Sequence, residues 1–130
     1  VAMVFLFGFL AWNIPRYHLK TQGWSIDDVK RTSQTILNKV APGEKYNIVL
    51  LSESKDIDGQ SYRYYLEVSD KPPLPIERRG ETETLFIINE EKKSPKVTDE
   101  PIYEIVVFPN KTPKEVYNVE NGPEITVLKK

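Results

Sequence analysis

Asp56 and Asp58 stand two residues apart, just after the apolar run 46–52 (YNIVLLS), with Glu53 close by. Two carboxylates at that spacing could hold Mg or Mn on a diphosphate. The end of a buried strand is also where open α/β sheets bind ligands. A D-x-D followed by Gly59 is, more often, ordinary turn and helix-cap chemistry. Four residues further on comes the densest aromatic cluster, Tyr62-Arg63-Tyr64-Tyr65. Its rings could stack a sugar, and its guanidinium could fork onto a phosphate or carboxylate. In the plainer reading Tyr62 and Tyr65 pack in the core and Arg63 pairs with Glu67, one helical turn on. The candidate ligand-binding residues are therefore Asp56, Asp58, Tyr62, Arg63 and Tyr65.

Other chemistry is poorly supplied. The single histidine, His18, has no neighbouring Ser or acid and no second histidine for a metal. There are no cysteines, which removes disulfides, thiolate zinc sites and cysteine nucleophiles. No Gly-rich phosphate loop and no nucleophile elbow occurs. No catalytic residue, metal ligand set or cofactor is therefore assigned. Glu90-Glu91 meets Lys92-Lys93 and reads as a solvated edge, and Arg78-Arg79 as a mobile basic pair that could face a lipid phosphate but is more often an ordinary surface pair. Asn110-Lys111-Thr112 matches a glycosylation sequon, a triplet common by chance.

These residues need elements to position them. Ser25 and Asp28 form an approximate capping box, and Ile26, Val29, Ile36, Leu37 and Val40 recur at helical spacing, so a helix is expected over 25–40. Ala41-Pro42-Gly43 ends it. Segment 46–52 is a strand covered on both faces. Segment 60–68 fits both periods, and a helix is preferred because a buried strand is most easily followed by a crossover helix. Strands are expected at 84–89, 102–108 and 124–129. A polar connection is expected over 76–83, a charged loop over 90–101, and a loop with room for one helical turn over 109–119. The result is a small α/β domain with a roughly four-stranded mixed sheet and packed helices.

Ahead of that domain, residues 1–12 (VAMVFLFGFLAW) carry no charge and no polar side chain. As a helix they cover roughly 18 Å of a hydrocarbon core about 30 Å thick. They are expected to be the end of a truncated transmembrane helix, with Trp12 and Tyr17 at the interface and Arg16 and Lys20 beyond it. A signal-peptide core and a buried helix are the other readings. The division is thus 1–20, anchor and juxtamembrane segment, and 21–130, soluble domain. The anchor gives a cell-membrane location through a single visible helix and makes the membrane a partner. The soluble part holds 16 basic and 19 acidic residues, a net charge of −3, which argues against a nucleic-acid partner.

One pattern across residues 25–129 is familiar. The helix leads to Tyr46-Asn47-Ile48-Val49-Leu50-Leu51-Ser52, then Ser61-Tyr62-Arg63-Tyr64-Tyr65-Leu66-Glu67. Leu85-Phe86-Ile87-Ile88-Asn89-Glu90, Glu104-Ile105-Val106-Val107-Phe108 and Ile125-Thr126-Val127-Leu128 follow. This resembles the C-terminal extracytoplasmic domain of bacterial polytopic membrane glycosyltransferases similar to dolichyl-phosphate-mannose protein mannosyltransferases. Asn89 stands where the family pattern L-F-x-x-C-E has Cys. The resemblance implies a non-catalytic domain of a membrane glycosyltransferase using a lipid-phosphate sugar donor. The family's catalytic acids lie in a membrane-portion loop absent here, so none is carried over. A glycan or polyprenyl-phosphate sugar is the implied ligand. The resemblance places the domain outside the membrane, whereas Arg16 and Lys20 alone favour the cytoplasmic side. Two rivals remain: a membrane-anchored ligand-binding or protein-interaction module without an enzyme, and a metal-dependent enzyme using Asp56 and Asp58.

Overall fold

The computed structural model describes residues 25–54, 56–90 and 94–130. Helix α1 (Ile26–Lys39) begins as its sequence asks. Ser25 Oγ accepts from the Asp28 amide at 3.2 Å, and Asp28 Oδ2 accepts from the Ser25 amide at 3.0 Å, closing the capping box. Its inner face buries Val29, Thr32, Ser33 and Ile36. Past Val40, Gly43 takes a φ of 77° that few other residues tolerate, and the chain turns into the sheet.

Strand β1 (Tyr46–Leu51) is buried at all six positions. Helix α2 (Gln60–Glu67) follows, and the chain returns through a 3-10 turn (Ile76–Glu81) into β2 (Thr84–Asn89). β1 and β2 run parallel, with Tyr46 opposite Thr84 and Leu51 opposite Asn89. A second 3-10 turn (Val97–Asp99) and the short helix α3 (Tyr103–Val107) lead to β3 (Glu115–Asn118) and β4 (Glu124–Lys129). β4 lies antiparallel between β2 and β3, so the sheet order is β1-β2-β4-β3.

Alternation along the strands divides the core into two layers. Ile48, Leu50, Phe86, Ile88, Ile125 and Val127 pack under α1 and α2. On the opposite face Val49, Leu51, Leu85, Ile87 and Leu128 pack against Val97, Ile105 and Phe108. Among the described residues the first layer has two full helices over it, the second only α3 and the 97–99 turn.

The fold is the expected α/β domain with a four-stranded mixed sheet, but one strand is misplaced by the sequence. The strand expected over 102–108 is α3. Ile105 and Phe108 are buried with half-buried Ile102 beside them, a three-residue spacing that only a helical turn points one way, and Pro101 and Pro109 confine the segment. The fourth strand is instead β3, inside the loop expected over 109–119. The connections at 76–83 and 90–101 each hold a 3-10 turn.

The described residues do not supply the expected single membrane anchor. Among the described residues no helix is long and apolar enough to cross a membrane, and residues 1–20, which carried that expectation, lie outside them. The expected cell-membrane location and the membrane as partner, which rested on that anchor, therefore have no spanning helix behind them among the described residues.

Ile87 is fully buried at the centre of the sheet and Leu50 is 4 % exposed. Replacing either by Ala should lower stability by about 2–5 kcal/mol in urea unfolding, while Val116→Ala on exposed β3 should stay within about 0.5 kcal/mol.

Candidate functional site

The five candidate residues follow the carboxyl end of β1, where the chain turns through residues 56–59 into α2. Leu50 N donates to Ile57 O at 2.9 Å, pinning this turn to the strand. Gly59 sits at φ 61°, and a Cβ there would lie 3.3 Å from atoms of Ile48 and Leu50. Only glycine combines that backbone with that approach, so the start of α2 lies directly on the sheet.

From this start the structure sends the five side chains in separate directions. Asp56 Oδ2 accepts from the Gln60 amide at 2.7 Å, using the carboxylate on α2's first turn. Asp58 is half-buried in the turn. Tyr62 points inward with no exposed surface, and its hydroxyl donates to Glu90 Oε1 at 2.6 Å. Burial pushes the Tyr62 phenol's pKa up, and the hydrogen bond to Glu90 and the charges of Glu90 and Asp28 push it further. Arg63 turns to the outer rim of β1 and is 3 % exposed. Its Nη2 donates to Asn47 Oδ1, its Nη1 donates to Leu74 O at 3.2 Å, and Glu67 Oε1 lies 3.8 Å from Nη1.

Tyr65 is half-buried on the α1 side. The Tyr64 ring meets it edge-on at 5.3 Å between centroids, and Lys30 Nζ lies 5.7 Å from the Tyr65 centroid. Tyr64, part of the expected aromatic cluster but not among the five candidates, is 62 % exposed, and Val68 one turn on is 69 % exposed. Helical spacing held the signal. Once Tyr62, Arg63 and Leu66 face inward, residues 61, 64, 65 and 68 form the outer stripe of α2.

Among the described residues no three Asp, Glu, His or Cys side chains gather as a metal site. Two basic residues expected to be mobile are ion-paired instead: Arg78 with Glu81 at 2.6 Å and Arg79 with Glu104. Glu90, expected on a solvated edge, is buried under Tyr62.

Two grooves lie elsewhere. One of about 460 Å³ opens at the end of α1 between Gly43, Glu44, Lys45, Lys71 and Arg78. The other, about 220 Å³, runs beside α3 between Arg79, Leu85, Tyr103 and Phe108. In the first, burial pushes the Glu44 carboxyl up. Hydrogen bonds from Thr84, the Ala41 amide and Lys129 outweigh it, so its pKa lies below the ordinary value.

Compared with protein-family models, curated proteins and solved structures, the chain matches none.

Tyr62→Phe removes the donor that Glu90 holds in the interior. It should cost about 1–3 kcal/mol in urea unfolding, and adding Glu90→Gln should recover part of that loss, since a neutral amide is easier to leave buried. Glu44 tests pH dependence. A carboxyl with a depressed folded pKa stabilises above its unfolded pKa and loses that contribution as pH falls through the folded one. The Tm difference between the wild type and Glu44→Gln should therefore shrink as pH drops below about 4.

Proposed function

We propose that this domain is a non-catalytic accessory module of a glycosyltransferase that uses a lipid-phosphate sugar donor, and that its contribution is binding. The enzyme class rests on the resemblance carried by the Tyr62–Glu67 run and the 85–90 strand. The observation that supports a binding role is how the side chains after β1 are used. Asp56 caps α2, Tyr62 is hydrogen-bonded to Glu90, and Arg63 is taken up by Asn47 and Leu74. Groups held in this way hold a fold together, and a nucleophile or general base must instead reach its substrate.

What faces solvent is Tyr64, with half-buried Tyr65 and Lys30 beside it. An exposed tyrosine offers a flat apolar face for the C–H side of a sugar ring and a hydroxyl at its edge. The ammonium adds attraction for a phosphate or carboxylate on the same ligand.

A second reading, a protein-interaction module without an enzyme, is favoured by α3. Tyr103, Val106 and Val107 are each more than half exposed on that one short helix. Apolar groups grouped on a surface mark docking sites more often than chance allows.

Titrating the domain with neutral saccharides and soluble sugar phosphates, while following backbone amide shifts, separates these readings. The accessory-module reading expects weak, metal-independent shifts at Lys30, Tyr64 and Tyr65, lost in Tyr64→Ala, with no turnover. Turnover by the domain alone, or tight metal binding lost in Asp58→Ala, would overturn it. Silence at α2 would favour docking of a protein at α3.

A further inference from the structure

We infer that Arg63, Asn47 and the Pro-rich strap of residues 71–75 form an edge lock on β1, and that its release makes β1 a pairing edge for a second copy of this chain.

β1 is the outermost strand on its side of the sheet and is buried at every position. The sequence YNIVLL is apolar but for Asn47 and carries no charge, which is the composition of a strand that recruits another. Its neighbour β2 occupies one rim. The other rim presents the backbone groups of Tyr46, Ile48 and Leu50, because successive residues of a strand point their N–H and C=O to alternate sides.

Each of those three residues has an outward group closed from within the molecule. The Tyr46 carbonyl accepts from Leu74 N at 2.9 Å, and Leu50 N donates to Ile57 O at 2.9 Å. Ile48 N donates to Asn47 Oδ1 at 3.0 Å, so the side chain of one residue closes the donor of the next. In the strap, Pro72, Pro73 and Pro75 have no N–H, so from residue 72 to 75 Leu74 alone can donate. That donor goes to β1.

Arg63 is the part that ties these closures together. Its Nη2 fixes Asn47 Oδ1 and its Nη1 fixes Leu74 O, one guanidinium reaching both the strand's cap and the strap. Its Nε is buried without a partner. A cation 97 % hidden in this way is costly, and a Leu or Met would fill the space at α2 more cheaply if packing were its only role. The strap is fastened at two further points. Tyr46 Oη donates to Lys71 O at 2.7 Å, and Lys71 Nζ donates to Leu37 O at 3.2 Å and Val40 O at 2.9 Å, at the end of α1. The opposite edge needs no such device, because β3 is four residues long, largely exposed, charged at Glu115 and preceded by Lys114.

The test is oligomeric state together with hydrogen exchange at the Ile48 amide, in four variants checked for folding by circular dichroism. Asn47→Asp keeps an acceptor for both Ile48 N and Arg63 and should behave as the wild type. Asn47→Val, which removes the acceptor of the Ile48 amide, should exchange Ile48 about tenfold faster in dilute solution, the effect of losing one net hydrogen bond. Arg63→Met, which leaves Asn47 and the strap unfastened, should also exchange it faster. As concentration rises, both should form dimers and larger species by light scattering, with the Ile48 amide protected again. Leu74→Pro removes the strap's donor together with a half-exposed side chain, and decides the matter should the buried variants not fold. It too should associate. The inference is overturned if every folded variant of these three keeps the mass of the wild type at millimolar concentration. It is equally overturned if the association they show is abolished by Val116→Pro on β3 and leaves Ile48 exchange unchanged.

Discussion

A strand buried on both faces at the rim of a sheet has three sides to cover, and the first half of this domain is arranged around doing so for β1. α1 and α2 lie over one face, and the layer below holds Val49 and Leu51. The third side is closed by a proline-rich strap and by the turn at Ile57. The local features follow from that demand. Gly59 must be a glycine because α2 begins in contact with Ile48 and Leu50. Arg63 must be long and polar because the strap and Asn47 both lie at the rim, beyond the reach of a shorter donor.

How much of this the sequence discloses depends on which force selects each element. Where local chemistry and burial agree, the reading holds. Ser25 and Asp28 cap α1, the apolar runs at 46–51 and 84–89 are strands, and residues 60–67 form the crossover helix that connects two parallel neighbours. Residues 102–108 misled because β-branched side chains favour strands on average, while their fate was decided by which of them reach the core. Ile102, Ile105 and Phe108 do so at helical spacing, and Val106 and Val107 are left outside. β3 was hidden for the opposite reason. Its four residues hold Val116 and Tyr117 between polar neighbours, and it is a strand because β4 offers an open ladder, a partner that no local pattern announces.

The candidate site shows the same division. The residue types were visible, but direction was not. A run such as Tyr62-Arg63-Tyr64-Tyr65 spreads its four side chains around nearly a full turn of helix, so it cannot act as one cluster. Tyr62 reaches Glu90, Arg63 reaches the rim, and Tyr64 and Tyr65 face α1 and solvent. Asn47 and Glu90, which decide what Arg63 and Tyr62 do, lie 16 and 28 residues from them in sequence. No spacing rule connects groups so far apart.

That dispersal bears on what the domain can do. In open α/β sheets the carboxyl ends of parallel strands border a crevice where ligands settle. Here β1 and β2 provide that end, but Gly59 brings α2 down onto β1 and the Tyr62–Glu90 hydrogen bond sits beside β2. Side chains and a helix start thus occupy the region where a substrate would enter. Under the proposed binding role, the surfaces offered to a ligand are the exposed Tyr64 side of α2 and the apolar side of α3, above a face that among the described residues has one short helix and a 3-10 turn over it. Both surfaces stand on elements anchored in the core by Leu66 and Ile105, each fully buried. On that reading, recognition of a large or extended partner needs no deep cavity, only side chains held at fixed separation.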